Sequence, residues 1–195
     1  MKLLKDRKAA IVITIIIVVL ATLAGVGRSL NRLARDIEAM FYDGVYLEDE
    51  GYTQPGINSH LENSANAALG LATIMSNYPE LADKAEALLS ARRSLIDEAS
   101  LKGKSSYNQD MGQAFADLLQ SAKDVDLAER DVEAAIQHIR TFTNAQASVA
   151  ASRYHEKVSS FGNETSFIVQ SLKLFLPVRT PEVFDPAELP AIDFS

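Results

Sequence analysis

The 195-residue chain carries no cysteine, no tryptophan and a formal charge of −7, with 26 acidic residues against 19 basic ones. Without thiols there is no disulfide framework, thiolate nucleophile or Cys-ligated zinc, and an acidic chain is repelled by phosphate backbones, which argues against a nucleic-acid partner. Ala, Leu, Glu and Asp dominate while aromatics make up only 7%, a mixture that favours helices over a sheet-rich core.

The first element is Ala9 to Gly27, AAIVITIIIVVLATLAGVG, a run without a charged residue. As a helix it spans about 28 Å, close to the thickness of a hydrocarbon core. Lys2, Lys5, Arg7 and Lys8 precede it with Asp6, and setting these aside leaves fifteen basic and twenty-five acidic residues, a charge of −10. A basic start, an apolar run and Thr22-Leu23-Ala24 before Gly25 also fit a cleaved secretory signal. The length of the run and the uninterrupted pattern after it favour an uncleaved anchor. Arg28, Arg32 and Arg35 follow at i, i+4 and i+7, so they share one helix face at the expected membrane interface. There they are either solvated by snorkelling or set against anionic headgroups. Four basic residues before the run and three after it give a margin that favours the N-terminus inside and the domain outside. Ala21 and Gly25 form a small-xxx-small pair of the kind that supports helix pairing in membranes.

From Ser29, SLNRLARDIEAMFYDGV sets Leu30, Leu33, Ile37, Met40 and Phe41 at helical spacing. The anchor helix is therefore expected to continue to about Asp43 and to stop at Gly44. LEDEGYTQPG, Leu47 to Gly56, is acidic with Gly and Pro and reads as a loop. A second helix is expected from Ile57 to Asn77, with Ile57, Leu61, Ala65, Ala68, Leu69, Ala72 and Met75 inward. Pro79 disfavours helical geometry at Tyr78, and a third helix then carries Leu81, Ala85, Leu88, Arg92 and Leu95 toward Gly103. Ser100 to Asp110 is polar and reads as a turn. Met111, Phe115, Leu118, Leu119 and Ala122 begin a fourth pattern with no breaker behind it. Unbroken from Gln109 to Phe161 it would be about 80 Å long, so a bend is expected near Asp124-Val125-Asp126, followed by a helix of about 35 residues. Ser166 to Leu176 is a shorter apolar segment.

The final stretch, LPVRTPEVFDPAELPAIDFS, contains Pro177, Pro181, Pro186 and Pro190, which preclude a helix or sheet interior and predict an extended tail. Phe184 and Phe194 are its candidate docking residues, against the chain's own helices or as a peptide ligand for a partner domain. The division expected is a basic flank (1–8), a membrane helix (9–27), a helical domain (28–176) and the tail (177–195).

Catalytic and metal motifs fail on spacing. The positions three before His60, His138 and His155 are Ile57, Ala135 and Ser152, so the Glu-x-x-His pairs of a di-metal bundle are absent. Gly103-Lys104-Ser105 resembles the end of a phosphate-binding loop, but Glu98 stands where that loop needs glycine. No Gly-x-Ser-x-Gly elbow occurs. Neither a catalytic residue, a cofactor nor a metal site is expected.

Arg153-Tyr154-His155-Glu156-Lys157-Val158, with Phe161 beyond, resembles the Arg-Tyr-Asn-x-x-Val-x-x-Tyr/Phe-Asn signature of the LemA family. Phe184 followed by AELPAIDF, Ala187 to Phe194, is similar to that family's closing pattern. His155 and Gly162 depart from it, standing where the signature has asparagines. The resemblance implies an N-terminal membrane helix running into an antiparallel bundle, and the family carries no established enzymatic activity. Tyr154, Val158 and Phe161 lie at i, i+4 and i+7, on one face suited to packing or interaction.

The expectation is thus an all-α protein: one transmembrane helix continuing into a four-helix-like bundle with an extended tail. It would be a single-pass cell-membrane scaffold without catalytic activity, its partner an envelope or membrane protein or a second copy. A signal-transmitting subunit and a self-assembling surface protein are the alternatives.

Overall fold

The computed structural model describes residues 7–174 and 176–187. The chain is mostly helical, with one long apolar helix at its N-terminal end. Helix α1, Arg7–Asp43, is unbroken. Residues 11–22 of its apolar run are exposed, whereas Leu30, Ala34, Ile37 and Phe41 are buried on one face. Gly44 ends the helix with φ +90°, a conformation that a side chain disfavours. A Cβ there would also land on the Gln54 carbonyl.

The segment read as a loop contains a short hairpin. Strands β1, Val45–Leu47, and β2, Tyr52–Gln54, pair antiparallel with Leu47 opposite Tyr52. Gly51, at φ +70°, closes the turn, its amide donating to the Leu47 carbonyl at 2.8 Å. Three-residue strands are too short for alternation to betray them in the sequence.

Helix α2 is Ile57–Met75, α3 Ala82–Asp97, α4 Leu101–Ala122, α5 Glu129–Ala150 and α6 Arg153–Lys173. Three expectations are corrected. Ser100 to Asp110 is not a turn. Ser100 caps α4 by accepting the Gly103 amide at 3.1 Å, and the helix buries Leu101, Ser105, Asn108 and Met111 on one stripe. Two of those four are polar, so the stripe did not register as amphipathic. The long final helix is broken at Ala151 and Ser152 as well as at Lys123–Ala128, and α6 absorbs most of the apolar segment after Ser166. In α2, Leu71 is buried and Leu69 exposed, because α2 packs on both α3 and α5 and buries a face wider than one stripe.

By contacts the described residues form two compact units. One comprises α1 as far as Ala39 with Lys157–Pro181. The other comprises Met40–Glu156 with the residues from Glu182 onward. In the second unit α2 packs on α5 and α3, and α3 on α4. Buried alanines Ala65, Ala67, Ala68 and Ala72 allow these helices close approach, and Gly70 leaves room for the His138 ring of α5. Phe115 and Phe142 stack with centroids 3.8 Å apart, which locks α4 to α5.

A polar corner holds the α2–α3 turn to the start of α5. The Tyr78 hydroxyl donates to Asp131 at 2.7 Å and accepts the Ala128 amide at 3.0 Å. The Tyr78 bond holds the Asp131 carboxyl below its ordinary range, with Arg130 assisting, while the same bond raises the Tyr78 phenol. A depressed carboxylate pKa adds stability above the ordinary Asp value and loses it as pH falls through the folded value. Tyr78→Phe is expected to lower the thermal midpoint at neutral pH. In melts followed by circular dichroism across pH, its difference from the parent closes as Asp131 protonates. A constant gap down to acid pH would contradict this account.

Candidate functional site

In the second unit the chain's distant parts meet around three rings. Phe41 near the end of α1 packs edge-on against Tyr154 of α6 at 5.7 Å between centroids, and against Phe184 of the tail at 5.3 Å. All three side chains are fully buried, Phe184 at 1% exposure. Polar contacts then fix the tail backbone. The Tyr154 hydroxyl donates to the Glu182 carbonyl at 2.6 Å. Ser105 of α4 accepts the Asp185 amide at 3.0 Å and returns its hydroxyl to the Asp185 carbonyl at 3.1 Å. Residues 182–185 thus lie against the helices as a clasp, while Val183 between the anchors points outward at 63% exposure.

The same clasp closes the N-terminus of α4, where unpaired amides and the helix dipole attract an anion. The Glu182 carboxylate accepts the Lys102 amide at 3.1 Å, Glu98 accepts the Ser100 amide at 2.7 Å, and Ser100 accepts that of Gly103. The Ser100 amide holds the Glu98 carboxyl below its ordinary range. A Cβ on Gly103 would strike the Glu98 side chain. Where a phosphate-binding loop would cradle phosphate, Gly103-Lys104-Ser105 is filled by the chain's own carboxylates. A groove of about 490 Å³ beside it is lined by Leu61, Leu95, Glu62, Glu98 and Lys104, among others. Its charged groups are already engaged, Glu62 with Asn58 at 2.7 Å and Lys104 with the Leu95 carbonyl at 3.4 Å.

Deeper in this unit Asn108 and Gln146 exchange amide hydrogen bonds at 3.1 and 2.8 Å, and Gln146 also donates to Ser64 at 3.1 Å. This buried trio ties α2, α4 and α5 together. No buried side-chain nitrogen or oxygen among the described residues lacks a partner. Such a fully paired buried network fixes the register of the three helices. No group of three or more His, Cys, Asp or Glu side chains among the described residues comes together to hold a metal.

The first unit holds a second strap. Asn31 of α1 donates to the Pro177 carbonyl at 3.1 Å and accepts the Arg179 amide at 2.7 Å. Arg179 then grips the buried Glu38 with two contacts, at 3.2 and 2.7 Å. Leu176 lies against Gly27, 3.4 Å from where a Cβ would stand. Arg28, Arg32 and Arg35 are exposed on the other side of α1, with Arg32 near Asp36 at 3.9 Å.

Of the residues expected on one face, Tyr154 belongs to the second unit and Phe161 is buried in the first, with Val158 half-buried beside it. Phe194 lies outside the described residues. His155, which stands where the resembled signature has asparagine, places its Nε2 2.8 Å from the Val149 carbonyl and so caps the end of α5. The sequence reading missed Glu38, Arg179, Asn31 and Ser105. Glu38 carried a signal, a charge set in the apolar stripe of Ala34, Ile37 and Phe41. Comparison with family models, with curated proteins and with solved structures returns no match for this chain.

The clasp yields a direct test. Phe184→Ala removes a buried ring and is expected to cost about 3–5 kcal/mol of local packing, whereas Tyr154→Phe removes one hydrogen bond worth about 1 kcal/mol. In hydrogen exchange read by mass spectrometry, the Asp185 amide loses protection strongly in the first variant and modestly in the second. Unchanged protection in both would mean that the rings do not hold the tail.

Proposed function

We propose that this chain is a membrane-anchored helical scaffold of the LemA type. Its Met40–Glu156 helices form a four-helix-like bundle, and it acts by binding an envelope or membrane partner rather than by catalysis. The observation that carries the reading is α1, a helix long and apolar enough to cross a membrane, none of whose most apolar window is buried by the rest of the chain. Isoleucines, valines and leucines displayed all round a helix are stable in lipid and costly in water. An anchor of this kind confines any partner to the membrane or its vicinity.

Support for the LemA relationship comes from the place where its two motifs meet. Tyr154, from the signature, and Phe184, from the closing pattern, share the ring of Phe41, and the Tyr154 hydroxyl holds the tail backbone. With Phe184 occupied internally, residues 182–185 serve as the bundle's own clasp, leaving helix surfaces for a partner. The basic residues around the anchor favour an extracytoplasmic domain.

Two measurements test the reading. After alkaline carbonate washing the chain is expected to stay in the membrane pellet, and a tag after Ser195 is expected to be cut by protease added outside intact cells. Crosslinking in those cells is expected to give a discrete larger species. Release into the wash would overturn the anchor, and monomer alone after crosslinking would overturn the scaffold.

A further inference from the structure

Within the first unit, the end of α6 carries large apolar side chains that the described residues leave uncovered. Phe167 is 81% exposed, Leu174 80%, and Ile168 between them is also exposed. Single exposed apolar residues are ordinary on protein surfaces. These differ in their placement. Phe161, Val169 and Leu172 form the buried stripe of α6, and Phe167 and Leu174, seven residues apart, share the opposite face. The helix thus carries large apolar side chains on two sides near its C-terminal end, though among the described residues only one side is packed against protein.

Position along α1 supplies the occupant. Leu176 lies against Gly27, the last residue of the apolar run, and Pro177 and Arg179 bind Asn31 just beyond it. If Ala9–Gly27 spans the hydrocarbon core, Gly27 marks one edge of that core. Leu174, two residues before Leu176, lies within about 7 Å of it along the chain. Phe167 is about 10 Å farther up the helix. The headgroup layer is about 5–8 Å deep on each side of the core, and interfacial helices bury their apolar faces about 5–10 Å into that boundary. Lys173, exposed in the last turn of α6, has the long stem needed to hold its charge at headgroup level.

We infer that the C-terminal end of α6 forms a second membrane contact, in which Leu174 enters the interfacial layer of the leaflet from which α1 emerges and Phe167 stands at the outer edge of that layer. The inference rests on the anchored reading of α1. The ligand is the phospholipid bilayer itself, at the boundary of acyl chains and headgroups. Two contacts at different distances from the α1 axis restrict the tilt of this unit relative to the bilayer.

The chain has no cysteine, so single labels can be placed without altering native thiols. Full-length Ile16→Cys, Asn163→Cys, Phe167→Cys and Leu174→Cys are spin-labelled in vesicles of phosphatidylcholine and phosphatidylglycerol. Accessibility to oxygen is then compared with accessibility to a water-soluble nickel chelate. The expected order of depth is Ile16 deepest, then Leu174, then Phe167, with Asn163 in water. A deep Ile16 label with aqueous labels at 167 and 174 would overturn the second contact alone. An aqueous Ile16 label would overturn the anchor as well. Labels at 167 and 174 shielded from both reagents, with broadening between labels, would assign the face to a second copy and likewise overturn the inference. The labelled positions are exposed, so circular dichroism matching the parent is expected for all four.

Discussion

The constraint on which the rest of the structure depends is that α1 joins, in one unbroken helix, a stretch long and apolar enough to cross a membrane to a stretch that packs against protein. Through residues 11–22 the helix shows apolar side chains in every direction, the pattern of a helix long and apolar enough to cross a membrane. After Gly27 the pattern narrows to a stripe, Leu30, Ala34, Ile37 and Phe41, while Arg28, Arg32 and Arg35 take the opposite side. No cap or proline marks the change. Only the period of the hydrophobic pattern changes, and that alone separates the residues left exposed from those buried against protein.

What α1 buries after that change is supplied from the far end of the sequence. Arg179 meets Glu38, the Pro177 carbonyl and the Arg179 amide meet Asn31, and in the second unit Phe184 meets Phe41. Closing a loop of such length costs little more than closing a short one, because the entropy rises only logarithmically. The residues that meet must still be fixed in one geometry, and prolines do part of that in advance. Pro177, Pro181 and Pro186 restrict the backbone before docking, so less freedom is lost when Tyr154 and Ser105 take hold. A nearly buried carboxylate such as Glu38 would be costly alone. The fork of Arg179 answers both of its oxygens.

Much of this was legible in the sequence because it rests on periodicity. The apolar run, the continuation of α1 to Asp43, the breaks at Gly44 and Pro79 and the interruption near Asp124 follow from spacing and from residues with restricted backbones. The failures have a common cause. Leu101, Ser105, Asn108 and Met111 are a buried stripe, yet two of them are polar, and their burial depends on Gln146 and Asp185 far away in sequence. A window that sees only neighbours assigns such a segment to the surface. The break at Ala151–Ser152 has no Pro or Gly to announce it and is stabilised from outside the helix, by the His155 ring at the Val149 carbonyl. The strap on α1 was hidden for the same reason, since the pairing of Asn31 with Pro177 and Arg179 has no local signature.

The α4 N-terminus shows how such distant partners bear on function. Read locally, Gly103-Lys104-Ser105 at the start of a helix offers free amides and a favourable dipole to a phosphate. In the fold the Lys102 and Gly103 amides are taken by Glu182 and Ser100, while Glu98 covers Gly103 and takes the Ser100 amide. Two of the three groups closing the site are carboxylates, so an incoming phosphate would meet negative charge at short range in addition to losing the amides. The tail therefore does more than complete a core. It places Phe184 beside Phe41 and sets Glu182 over the start of α4, so the segment that locally resembles a phosphate-binding loop is closed by the chain itself.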